Sequence, residues 1–154
     1  VKISQLIMLL VACGLWARSC PIRELRLIER ELGYDLLAIQ GIRPGMAQAQ
    51  VTAHLGKPSA VEHCSDGEIW TFQPDYKVLT VYIESGKVQG VSGVCSAATV
   101  DGYRLAFLDR QHVRKIFGPP TCTEENLLFY RLNHRELAIL FRGGKVTRVT
   151  LSRV

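Results

Sequence analysis

A stretch of this 154-residue chain recurs later in the same chain, and that similarity restricts its fold more than any other feature. A shift of 62 places Val51, Gly56 and Pro58 on Val113, Gly118 and Pro120. A shift of 58 then places Leu79, Gly86, Lys87, Val88 and Val91 on Leu137, Gly144, Lys145, Val146 and Val149. The offset changes inside a hairpin, where loop length is cheap to vary. Recurrence in this order points to one supersecondary unit used twice. Units of roughly 50 residues bury only about 60% of their unfolded surface, so the copies are expected to share a core or pack closely.

Each copy has the same local grammar. Residues 47–55 suit a helix, with Val51 and Leu55 on one face, Gly56 as its stop and Pro58 beyond. Residues 69–72 and 78–83 are rich in β-branched and aromatic types and read as strands. Ser85-Gly86-Lys87 and Gly143-Gly144-Lys145 supply hairpin turns. By alternation Leu79, Val81 and Ile83, like Leu137, Ile139 and Phe141, should face the helix. Val88 and Val91 are an odd number of residues apart, as are Val146 and Val149, which predicts a bulge in each last strand. The expected fold class is α+β: two tandem repeats, residues 42–95 and 96–154, each of helix followed by an antiparallel β-meander packed on it.

The N-terminus reads as a targeting segment. Residues 3–17 carry no charge between Lys2 and Arg18. As a helix they span about 22 Å, short against a hydrocarbon core of about 30 Å, so a secretory signal fits better than a membrane span. Leu10-Val11-Ala12-Cys13 is similar to a bacterial lipobox, making residues 1–12 a signal peptide and Cys13 a lipidated N-terminus. The rival, Ala17-Arg18-Ser19-Cys20, puts a charge where a small or β-branched residue belongs. Ordinary cleavage after Ser19, or an uncleaved anchor, stays open beside it. Residues 13–41 form a linker containing an amphipathic helix, 22–32, with Leu25, Ile28 and Leu32 on one side. With Cys13 acylated, Cys20, Cys64, Cys95 and Cys122 remain, an even number suited to an oxidising compartment. Spacing alone permits three pairings. Cys95 and Cys122, after the last strand of one unit and opening the first strand of the next, are the expected disulfide.

Gly45-Met46-Ala47, Val51, Leu55-Gly56-Lys57-Pro58, Trp70-Thr71-Phe72, Leu79-Thr80-Val81-Tyr82-Ile83 and Gly86-Lys87-Val88-Gln89-Gly90-Val91 together resemble the SmpA/OmlA (BamE-like) outer-membrane lipoprotein domain. The tandem arrangement is similar to that of secreted β-lactamase-inhibitor proteins. In the second copy Phe107 replaces the opening glycine and Leu128 the tryptophan. The resemblance implies a non-catalytic module that works by protein contact in the cell envelope. The family's assembly-machine member has a Gly-Asn loop ahead of its helices. Ile39-Gln40-Gly41-Ile42 stands there in this chain, which argues against a role in outer-membrane protein assembly.

Side chains with chemistry read as structural. His63 and Cys64 are neighbours and would point to opposite strand faces, so they do not make a nucleophile–base pair. His54, His112 and His134 lack metal spacing to one another or to a cysteine. Trp70, Phe72 and Tyr130 are expected in the core, and no phosphate loop, dinucleotide fingerprint or nucleophile elbow is present. No catalytic residue, metal or cofactor is therefore expected, and no nucleic-acid partner.

Charge gives the last expectation. Of the net +5, residues 131–154 hold six basic side chains against Glu136 alone. Arg131, Arg142 and Arg148 alternate to the face away from the helix, where the first copy has Gln73, Glu84 and Gly90. They are expected to form a basic strip for an envelope protein or anionic lipid headgroups. The same sheet face around Val78, Thr80 and Tyr82 is the other candidate. The function expected is a membrane-anchored, protein-binding or complex-stabilising envelope lipoprotein on the periplasmic side of the outer membrane. The alternative is a secreted enzyme inhibitor using its exposed sheet face.

Overall fold

The computed structural model of the chain describes residues 37–73, 78–100, 103–132 and 134–153, with backbone only at 95, 103 and 132. The signal peptide, Cys13, Cys20 and the amphipathic helix over 22–32 lie outside the described residues.

The two helices among the described residues are short. Helix α1, Gln48–Leu55, buries Val51 and ends at Gly56. The Gln50 side-chain oxygen accepts from the Ala47 N–H at 3.0 Å, satisfying one orphan donor at its start. Strands β1 (Ala60–His63), β2 (Glu68–Phe72), β3 (Val78–Glu84) and β4 (Lys87–Val94) follow as a meander. A 3-10 turn at Cys95–Ala97 leads to a small hairpin, β5 (Thr99–Val100) and β6 (Tyr103–Arg104). Helix α2, Arg110–Phe117, buries Val113 and Phe117, and the Asp109 carboxylate caps it by accepting from the His112 N–H at 2.9 Å. Strands β7 (Cys122–Glu124), β8 (Leu127–Leu132), β9 (Arg135–Arg142) and β10 (Lys145–Arg153) close the chain.

The expected architecture of two units, each with its own helix and meander, is overturned. The described residues build one eight-stranded antiparallel sheet in the order β1-β2-β3-β4-β10-β9-β8-β7, with two eight-residue helices. The reason lies at β4 and β10. Each would end its own meander as an edge with unpaired N–H and C=O groups, and pairing them satisfies both rows at once. Ser92 faces Thr150 across this seam, with Val91 opposite Leu151 and Gly93 opposite Val149. The shift of 58 equates Ser92 with Thr150, so the halves are related by a local two-fold axis through that pair. Their hydroxyls lie 3.0 Å apart and buried.

One core underlies the whole sheet. Leu79, Val81, Ile83, Leu137, Ile139 and Phe141 share a cluster with Val51, Val113 and Phe117, so the strand faces assigned by alternation are the helix-covered ones. Both bulges are present: register slips between Tyr82 and Ile83 against β4, leaving Gln89 over, and between Val146 and Arg148 in β10. Gly93 marks a close approach, since a Cβ there would run into the Ala97 carbonyl as the 3-10 turn folds back over β4. The segment before α1 is tied to the far half of the sheet. Arg135 donates to the carbonyls of Leu37 and Pro44 at 3.2 and 3.4 Å, while Ile39 and Ile42 bridge each other in full burial.

Candidate functional site: the sheet face opposite α1 and α2

Strand pairing lines up three rows of side chains on the face away from α1 and α2. The middle row runs Ala60, Thr71, Thr80, Ser92, Thr150, Ala138, Phe129, Cys122 across all eight strands. On one side lies the row Val78, Val94, Arg148, Leu140, Leu127, Glu124. On the other lies Glu62, Ile69, Tyr82, Gly90, Ser152, Glu136, Arg131. The centre is small and hydroxyl-rich. It is also closed: Ser92, Thr150 and Ala138 are 1–3% exposed and Phe129 is fully buried. Over β2 and β3 the face is half-open at Thr71, Val78, Thr80 and Tyr82, and the neighbouring edge strand β1 is exposed along its length.

This map separates the residues expected to act together. Arg131 and Arg142 lie at opposite ends of the face, because Arg131 pairs with Glu136 and Arg142 stands six residues further along β9, about 20 Å away. Arg131 is moreover engaged. Its guanidinium holds Glu136 at 2.9 Å with side-chain exposures of 18% and 3%. Burial pushes the Glu136 carboxyl above the usual carboxylate range, opposed by the hydrogen bond and charge of Arg131. Arg148 is half-buried between Val94 and Leu140, and Arg142 is exposed at the β9–β10 tip opposite Lys145. The three arginines therefore do not form a strip. Val78, Thr80 and Tyr82 do share one patch, with the Tyr82 phenol raised first by burial and then by Glu84, Asp66 and Cys64.

Cys122 is disulfide-bonded. Its partner, like the side chain of Cys95, lies outside the described side chains. Cys64 is a free thiol whose N–H donates to Gly67 across the β1–β2 turn.

His63 turns to Glu68, 3.2 Å away across the hairpin, and Glu68 in turn accepts from the Trp70 indole at 2.8 Å. His54 reaches the Gln40 carbonyl and His112 the Asp109 carboxylate. Among the described residues no group of three or more His, Cys, Asp or Glu side chains is placed to hold a metal ion. Trp70, Phe72 and Tyr130 are core residues, and the Tyr130 hydroxyl donates to the Gly118 carbonyl at 3.0 Å. One concavity has no counterpart in the sequence reading: a cleft of about 320 Å³ lined by Arg43, Pro44, Met46, Gln50 and Arg135. Its lining comes from both halves, so no local motif marks it.

What these elements define first is a class of fold, an antiparallel sheet clad by short helices on one side. Solved structures share it. An extracellular protein containing an SCP domain from Bacillus anthracis superposes with a TM-score of 0.59 at 14% identity, over 71% of this chain and 44% of that one. A cysteine-rich secretory protein from Staphylococcus aureus gives 0.57 at 11% identity, over 73% and 45%. A DUF4309 family protein from Bacillus subtilis gives 0.52 at 12% identity, over 70% and 78%. This chain spans less than half the length of the first two. At such identities the likeness is one of fold alone. No protein-family model matches the chain, and no curated protein sequence does.

Proposed function

We propose that this chain is the folded module of a non-catalytic cell-envelope lipoprotein that binds another envelope protein. The observation that carries the binding role is the half-open patch of Thr71, Val78, Thr80 and Tyr82 beside the exposed edge strand β1. A patch next to an edge strand with no outer partner among the described residues offers a binding protein both side-chain contact and backbone hydrogen bonds. Anchoring rests on the lipobox-like Leu10-Val11-Ala12-Cys13 and the motifs that resemble the SmpA/OmlA domain. Two of the structures with this fold are named as extracellular or secretory, which accords with export. The closed centre of the face weighs against an inhibitor that would need the whole sheet open.

Photo-crosslinking in intact cells tests the binding site. A crosslinking side chain at Thr80 or Tyr82 should capture the same discrete envelope protein, and one at Thr52, exposed on α1, should not. Thr80→Arg with Tyr82→Glu should lower recovery of that partner at least about tenfold, as expected for the centre of a contact. Equal capture from Thr52, or none from 80 and 82, contradicts the site.

A further inference from the structure

Phe107 occupies a position that neither packing nor backbone geometry accounts for. It is 58% exposed, and its φ of 66° lies in the left-handed region. Its N–H donates to the Val146 carbonyl at 3.0 Å, and the Val146 N–H returns to the Leu108 carbonyl at 2.9 Å. In the first half of the sheet Gly45 and Met46 make the same two bonds with Val88, at 2.7 and 2.8 Å, and Gly45 has φ 89°. Glycine takes such a slot without strain. A phenylalanine there strains the backbone and gains little burial, the combination that marks functional positions.

Positive charge appears with it. Arg142 and Lys145 face each other across the adjacent hairpin tip, both exposed. Arg104 is exposed on β6, and Arg114 and Lys115 are exposed on α2, which starts at Arg110. The equivalent positions in the first half are Glu84 for Arg142, Ile42 for Arg104, Gln48 for Arg110, Thr52 for Arg114 and Ala53 for Lys115, with only Lys87 matching Lys145. Among the described residues the carboxylates of this half near α2 are Asp109, Glu124 and Glu125, and Asp109 is committed to capping α2. An aromatic and five cationic positions thus replace neutral or acidic residues in one half only.

We propose that this corner touches an anionic membrane surface. Phe107 enters the bilayer interface, while Arg142 and Lys145 on the adjacent hairpin tip, and Arg104 three residues before it in the chain, extend flexible cationic heads among the lipid phosphates. Among the described residues the other exposed large apolar side chain is Val61, on β1, and Leu108 beside Phe107 packs against the core. That suits insertion into lipid better than the desolvated centre of a protein contact. The inference rests on the reading of the chain as a module held at a membrane.

The test uses the full chain, purified from membranes and reconstituted in vesicles. Phe107→Trp adds one emitter, and Phe107→Gly serves as the reference, because Gly45 shows that glycine fits this slot. The added emission should fall at least about twofold with brominated lipid in phosphatidylglycerol-containing vesicles and stay unchanged in pure phosphatidylcholine. Phe107→Gly should melt at or above the parent temperature. Vesicle-bound Phe107→Trp without quenching overturns this inference and leaves the anchoring intact. Equal quenching in both lipids overturns it too, as does a response to soluble polyglutamate in place of vesicles, which would make the corner a protein contact. A parent chain that does not float with vesicles overturns both readings.

Discussion

Glu136 shows how a single residue changes meaning once its partner is known. It is 3% exposed, in a row with Ser152 and Arg131, and its carboxyl is raised by burial despite the guanidinium 2.9 Å away. For an acid whose folded pKa is raised, the group's contribution to stability is full below its unfolded pKa, about 4.3, and is lost as pH rises through the folded value. Removing Arg131 raises the folded value further and widens that window. Arg131→Met is therefore expected to cost about 3 kcal/mol at pH 8, the size typical of a broken buried pair, and markedly less at pH 4.5. Urea melts at the two pH values check this, and Glu136→Gln should remove the pH dependence. A cost for Arg131→Met that does not vary with pH would mean that Glu136 is not the group concerned. Arg131 looked like a docking residue because alternation reveals the face of a residue but not its neighbour across the strand. The signal was within reach: once Leu132 pairs with Arg135, Arg131 must lie opposite Glu136.

At the scale of elements, the strands were far more legible than their assembly. The alternation in β3 assigned Leu79, Val81 and Ile83 to the core, and the odd spacing of Val88 and Val91 announced the bulge at Gln89. Both are local patterns. The pairing of β4 with β10 joins residues 54 to 62 apart and leaves no periodicity of its own, because a strand at an edge and a strand at a seam read alike. That is why two separate units were expected where one sheet exists. The seam is testable through its buried hydroxyl pair. Thr150→Val strands the Ser92 hydroxyl and should cost about 1–3 kcal/mol. Adding Ser92→Ala should recover most of that loss, because two matched apolar side chains leave nothing unsatisfied. Denaturant melts of the single and double variants give the coupling energy. Simple additivity would show that the hydroxyls do not pair.

For the molecule as a whole, the fold gives the sheet two unlike faces. One side is a single apolar core reaching from Phe72 to Phe141 under α1 and α2. The other is closed at its hydroxyl-rich centre and half-open over β2 and β3, which leaves partner contact to one flank. The exposed Phe107 and the cations around it sit on a corner away from that flank, so lipid contact and protein contact need not compete. Both proposals depend on the chain being held at a membrane. The direct test is the intact mass of the protein recovered from the membrane fraction of an expressing bacterium. The account predicts a chain that begins at Cys13 and carries the added mass of a lipid-modified cysteine. A soluble, unacylated chain, or one cleaved after Ser19, would contradict it.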